Sequence, residues 1–207
     1  MQKSVHPYAI FDHKRQIVGR FLGIASFILS PIITNFFISI TSLTGAKFTG
    51  TFIITAGIIY LALYWIFDNF IWKVRIVGKF LSIPDFSGEW IVDGQTINDT
   101  GDTLYVWNAK ITIVQTWDNI SIKLATDQSE SYSYTATALK LPDNSWQLSY
   151  SYCNQPDLNQ VHELNSHKGF CELRFCIKDG YAKGTYFNSH GRRTIGNMKL
   201  NKLKGDT

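Results

Sequence analysis

FLGIASFILSPIITNFFISITSL, residues Phe21–Leu43, and FTGTFIITAGIIYLALYWIFDNFIW, residues Phe48–Trp72, stand almost back to back near the start of the chain. Asp68 is the only Asp, Glu, Lys or Arg in either run. A helix needs roughly 20 apolar residues to cross the hydrocarbon of a bilayer, so each run is long enough. Only Thr44-Gly45-Ala46-Lys47 separates them, which predicts a tight transmembrane hairpin with both chain ends on one side. The pattern changes past Pro84, where alternating apolar and polar residues replace the continuous runs. The expected organisation is a transmembrane hairpin over residues 1–80, with spans at about 21–43 and 48–72, and one globular domain over residues 81–207.

Charge sets the orientation. Lys14, Arg15 and Arg20 flank the first run and Lys73, Arg75 and Lys79 follow the second, while the connection carries Lys47 alone. Lys and Arg close to a span favour the cytoplasmic side. The chain is therefore read as multi-pass, with both termini and the domain cytoplasmic. A signal peptide does not fit, because the first run is too long and has no small-residue cleavage pattern. The whole chain has 207 residues and a formal charge of +4. That basicity suits anionic head groups near the spans and does not argue for DNA or RNA. The odd set Cys153, Cys171 and Cys176 reads as reduced thiols in a cytoplasmic domain.

Gly19, Gly23, Ser26, Ser30 and Thr34 form a stripe of small residues on one face of the first span, which permits close helix approach. Pro31 predicts a kink. Asn35 is an amide inside the apolar run that needs a partner. Gly23, Ser26, Ser30 and Asn35 are candidates for self-association of several hairpins; packing within one hairpin uses the same residues.

Aromatic-rich alternation recurs from Phe86 onward and predicts strands near 87–93, 104–116, 119–126, 132–141, 146–153, 169–177, 181–187 and 193–201. Trp117-Asp118-Asn119, Pro142-Asp143-Asn144-Ser145 and Lys178-Asp179-Gly180 supply hairpin turn chemistry. Eight successive antiparallel strands on about 120 residues fit a small closed up-and-down β-barrel; an open sandwich is the alternative. Residues two apart share a face. The inward set then divides by depth. One end is apolar, with Ile111, Ile113, Ile120, Ile122, Phe175, Met198 and Leu200. The other gathers Tyr105, Trp107, Tyr132, Tyr134, Tyr150, Tyr152, Tyr186, Arg192 and Thr194, beside long connections at about 94–103, 127–131, 154–168 and 188–191. Parity favours Arg192 over Arg193. Tyr and Trp faces stack on nucleobases and Arg pairs with phosphate through parallel hydrogen bonds. The candidate ligand-binding set is Tyr105, Trp107, Tyr134, Tyr150, Tyr186, Arg192 and Thr194, suited to a small nucleotide with planar rings and a phosphodiester. Tyrosines that merely fill a tapering barrel are one alternative, and a lipocalin-like carrier of a small apolar ligand, tethered to the membrane, is another.

Two motifs carry a resemblance. Pro84-Asp85-Phe86-Ser87-Gly88-Glu89-Trp90 follows the hairpin directly, and Gly180-Tyr181-Ala182-Lys183-Gly184-Thr185-Tyr186-Phe187-Asn188 precedes Arg192-Arg193-Thr194-Ile195-Gly196-Asn197-Met198-Lys199-Leu200. Together they resemble the opening and the ending of the two-transmembrane, β-strand-rich effectors of CBASS, the cyclic-oligonucleotide-based anti-phage signalling system. The resemblance implies a receptor rather than an enzyme. A partner CD-NTase nucleotidyltransferase would make a cyclic dinucleotide, the barrel would bind it, copies would assemble into a homo-oligomer, and the transmembrane helices would breach the inner membrane and kill the cell.

Catalytic readings have little to stand on. The five histidines, His6, His13, His162, His167 and His190, form no HExxH motif, and no CxxC occurs, so no metal is expected. His162 and His167 with Glu163 read as a solvated lid. No paired carboxylates with a forced geometry and no Ser with a neighbouring His base are evident, so no catalytic residue and no cofactor are assigned.

Overall fold

The computed structural model describes residues 5–13, 15–44, 56–156, 166–189 and 194–203. The chain divides into two units: residues up to Phe11 join with Ser82 onward, and Asp12–Leu81 form the other. The helical unit is thus an insertion in the sheet-forming unit.

In the helical unit, α1 runs over Gln16–Thr44 and continues through Pro31. Its stretch Gln16–Ile40 is long and apolar enough to cross a membrane. The side chains agree, since Phe21, Phe27 and Phe36 are all exposed as only lipid-facing residues should be. Helix α2, Ala56–Asn69, is the described part of the second expected span; residues 48–55 of that span lie outside the described residues. The face of α1 at Gly19 lies against Tyr60 of α2, whose hydroxyl would be 3.6 Å from a Cβ placed there. A 3-10 turn at Ile71–Lys73 leads into α3, Arg75–Leu81. Ser26 and Thr34 turn their hydroxyls back onto their own helix, donating to the carbonyls of Gly23 (2.7 Å) and Ser30 (2.8 Å). Asn35 is exposed.

Among the described residues the sheet unit holds nine strands: β1 (His6–Ile10), β2 (Gly88–Ile97), β3 (Thr103–Gln115), β4 (Asn119–Ala125), β5 (Ser129–Lys140), β6 (Trp146–Pro156), β7 (His167–Cys176), β8 (Tyr181–Asn188) and β9 (Ile195–Lys202). Strands β2 to β9 follow one another antiparallel, and β9 returns to β2 in register from Trp90↔Lys202 to Ile97↔Ile195, so the sheet closes in a ring. The expected eight antiparallel strands are therefore nine in a mixed sheet. The ninth is β1, which pairs antiparallel with β4 at His6↔Ile120 and parallel with β5 from Tyr8↔Ala136 to Ile10↔Ala138. These residues had been assigned to the membrane segment.

A bulge makes room for β1. Strands β4 and β5 pair only over Lys123–Ala125, and the β5 register shifts between Ser133 and Thr135. Below that shift the two strands part, and β1 fills the seam. Ser133 Oγ, 1% exposed, accepts from the Ile122 N–H (3.0 Å) and lies 2.8 Å from His6 Nε2, so one hydroxyl ties β4, β5 and β1. The bulge also reverses parity, because an extra residue turns what precedes it to the other face. Ser131 and Ser133 point inward and Tyr132 and Tyr134 outward, contrary to the uninterrupted alternation read from sequence.

The ring's interior is apolar at one end. Phe86, Trp90, Ile111, Ile120, Leu173 and Phe175 are all at most 1% exposed, and the Phe175 ring lies 4.9 Å from Phe86 and 5.0 Å from Trp90. Chain departure after Phe11 and return at Pro84–Phe86 both occur at this end, where Phe11 N–H donates to Ala138 O. Gln115, 2% exposed, joins them: its Nε2 donates to Tyr8 OH (2.8 Å) and Pro84 O (3.0 Å), and its Oε1 accepts from Phe86 N–H (2.8 Å).

At the other end two of the four expected long connections are short. Strand β2 runs on to Ile97, and Asn98 Oδ1 gathers the N–H of Thr100 and Asp102 into a compact turn. Thr126 Oγ1 closes the β4–β5 turn by accepting from Ser129 N–H at 3.0 Å. Residues 157–165 and 190–193 lie outside the described residues.

Replacing Gln115 by Leu removes all three bonds and leaves the buried Pro84 carbonyl and Phe86 N–H without the amide, each worth about 1–3 kcal/mol. The full chain in detergent should lose roughly 10 °C of melting temperature by near-ultraviolet circular dichroism. An unchanged melting temperature would show that the amide holds nothing together.

Candidate functional site

Opposite the apolar end the ring opens into a cavity of about 500 Å³, within the range of small-molecule sites. Its walls come from the last inward positions of successive strands. Thr96 belongs to β2, Tyr105 and Trp107 to β3, Ser131 to β5, Tyr150, Tyr152 and Asn154 to β6, His167 to β7, and Tyr186 and Asn188 to β8, with Met198 below.

Three of the rings are seated on glycines. Gly94 is the cross-strand partner of Trp107, Gly169 of Tyr152 and Gly196 of Tyr186. A Cβ at any of the three would overlap the ring opposite. The absent side chain lets each ring lie along the wall, so six-membered faces and indole edges line a space that they would otherwise fill. Hydrogen bonds fix their attitude. Tyr186 OH lies 2.7 Å from Thr96 Oγ1 and accepts from Trp107 Nε1 at 3.3 Å, and the two rings meet edge to face at 5.7 Å. Tyr152 OH donates to Asn188 Oδ1 (2.7 Å), and Asn188 Nδ2 donates to Thr194 Oγ1 (2.8 Å). Asn188 N–H also donates to Thr194 O, which brings together the two residues that flank the 189–193 connection.

The wall is polar but largely uncharged. Burial raises the Tyr150 hydroxyl well above its ordinary value and pushes the Cys171 thiol opposite it up to about 12, so both stay protonated at neutral pH. Among the described residues the lining contains the carboxylate of Asp127 and the imidazole of His167 but no Lys or Arg. No three metal-ligating side chains converge among the described residues. What remains is a set of aromatic faces, hydroxyls, amides and an imidazole, suited to holding a polar molecule with flat rings.

Tyr105, Trp107, Tyr150 and Tyr186 all border this one cavity, as their parity implied. Tyr134 does not: it stands on the outer face, 44% exposed, with Lys168 Nζ 6.0 Å from its ring. The bulge that turned it outward cannot be read from alternation. Thr194 stands behind Asn188 rather than on the lining. Arg192 and Arg193 lie outside the described residues. Met198, expected at the apolar end, borders the cavity floor. Thr96, Asn154 and Asn188 were missed because the strands run further than expected, and His167, expected in a solvated lid, is instead buried at the start of β7; each is one inward step beyond Gly94, Tyr152, Tyr186 and Gly169 respectively.

Comparison with known proteins places this geometry. Residues 81–202 match a family model described as the cyclic dinucleotide receptor domain of Cap15, and residues 16–73 match the one for its transmembrane helices. A protein of Yersinia aleksiciae called CD-NTase-associated protein 15 is 39% identical, over 98% of this chain and 99% of the relative. One of the same name from Escherichia albertii is 27% identical, over 86% and 91%. The resemblance carried by Pro84–Trp90 and Gly180–Leu200 holds, and the N-terminal helices anchor the chain in a membrane. The chain therefore belongs to the Cap15 family of CBASS, in which transmembrane helices precede a cyclic dinucleotide receptor domain.

Proposed function

We propose that the cavity between Trp107, Tyr150 and Tyr186 is the cyclic dinucleotide site, and that its occupation converts an anchored receptor into a membrane-disrupting assembly. The observation that carries the reading is the seating of aromatic rings on Gly94, Gly169 and Gly196, which keeps stacking faces apart and the space between them open. Bases stack on these rings, at about 1–3 kcal/mol each. Ser131, Asn154 and Asn188 offer hydrogen bonds to base edges and ribose. Arg192, on the connection between Asn188 and Thr194, pairs with the phosphodiester. The sheet acts as a small β-barrel on the cytoplasmic side of the bacterial inner membrane, with both termini beside it. A nucleotidyltransferase that senses phage supplies the ligand. Liganded copies associate, Gly23, Ser30 and the exposed Asn35 of α1 pack between copies while Ser26, 3% exposed, stays within its own chain, and the helices rupture the membrane in abortive infection. A fatty-acid carrier would want an aliphatic lumen, and the described lining is dominated by hydroxyls, amides and aromatic rings.

Calorimetric titration of the detergent-solubilised full chain with a panel of cyclic dinucleotides should find at least one that binds near one per chain. Binding by fatty acids and by no cyclic dinucleotide would overturn the reading. Arg192→Ala should weaken the ligand about 10- to 100-fold, as expected for a lost charge-assisted bond, with the melting temperature unchanged. Gly94→Ala should act differently. Its Cβ drives the Trp107 ring into the cavity, an overpacking of about 1–3 kcal/mol, so affinity should fall at least about tenfold. Full affinity in Gly94→Ala would place the ligand elsewhere.

A further inference from the structure

The segment after the membrane-matched residues has a design of its own. Helix α3 carries Ile76 and Phe80, at 81% and 87% the two most exposed large apolar side chains among the described residues. They are four apart and so share one stripe of the helix. Val74, just ahead, is exposed as well. The opposite face is the less exposed one: Val77 and Gly78 are half-buried, and a Cβ on Gly78 would come within 3.1 Å of the Trp72 carbonyl oxygen. Ile76 and Phe80 therefore point away from the turn that holds Trp72, itself 1% exposed.

Beside the apolar stripe stand cations. Arg75 and Lys79, also four apart, are exposed, as is Lys73, whose Nζ lies 5.4 Å from the Trp72 ring. No Asp or Glu occurs between Asp68 and Asp85. A helix of seven residues is far too short to cross a bilayer. Paired apolar and cationic stripes are what a helix needs to lie in the interface, with its greasy side at the acyl boundary and its charges among head groups. Position along the chain agrees, because the match to transmembrane helices ends at residue 73, two residues before α3 begins.

We propose that α3 is an interfacial helix that docks on anionic lipid, with Ile76 and Phe80 inserted and Lys73, Arg75 and Lys79 paired with phosphate-bearing head groups. It fixes the depth and attitude at which the chain leaves the membrane for the sheet. The proposal rests on membrane anchoring and not on the ligand reading.

The test uses the full chain reconstituted in vesicles of phosphatidylcholine, with or without about 30% phosphatidylglycerol. Phe80→Cys, and separately Ile76→Cys, is labelled with an environment-sensitive fluorophore in a Cys153→Ser, Cys176→Ser background; Cys171 is fully buried and stays. In anionic vesicles both labels should emit to the blue and be quenched by lipids carrying a nitroxide near the head group. Arg75→Glu with Lys79→Glu should cut that quenching at least about fivefold. Quenching by aqueous iodide instead of by lipid would overturn the proposal. So would equal lipid quenching in neutral vesicles, or a label shielded from both quenchers in a dilution-dependent way, which would put a second copy on this face.

Discussion

One buried amide holds the two ends of the membrane insertion together. Gln115 bonds at once to Tyr8 of the departing strand and to Pro84 and Phe86 of the returning segment. Everything from Asp12 to Leu81 is therefore tied into the sheet at two points a single side chain apart. Both junctions thus meet one side chain at the apolar end of the ring. The network is fully paired and almost dry, the condition under which a buried polar group rigidifies rather than weakens a fold.

The second dependency is the β5 bulge. Strand β5 supplies Ser131 to the cavity and, two residues later, Ser133 to the seam where His6 sits. The same strand thus touches the candidate ligand and the strand that leads into α1. A displacement of Ser131 by a bound molecule has only one residue to cross before it reaches the lock on β1. Under the proposed reading this links the cavity to β1 through one hydrogen bond, Ser133 Oγ to His6 Nε2.

Much of this was legible in the chain, and the failures have physical causes. The spans announce themselves by length without charge, and strands β2 to β9 by alternation broken at Asp, Asn and Gly turns such as Lys178-Asp179-Gly180. Tyr105, Trp107, Tyr150 and Tyr186 fell on one face because the β2–β3 register stays regular from Gly88 to Thr96 and slips only beyond Tyr105, while β6 to β8 pair without a slip around Tyr150 and Tyr186. Strand β1 was not readable: HPYAI is five residues long, holds a proline, and is stable only because a bulge elsewhere opens a slot for it. Tyr134 misled for the same reason, since an inserted residue reverses every face before it. The extra cavity residues Asn154 and Asn188 were hidden by polarity, because strands that end in amides and hydroxyls look like loops.

An aromatic cavity lies at one end of the ring, and the two junctions that flank the helical insertion lie at the other. The location of the ligand is the proposal on which the rest depends. A structure of the full chain determined with a cyclic dinucleotide bound tests it most directly. The account predicts the bases against Trp107, Tyr150 and Tyr186 inside the ring, with the phosphates toward the connection after Asn188. An empty cavity with the ligand on the outer wall, for instance in the groove between Gln147, Glu172, Lys183 and Lys199, would contradict it.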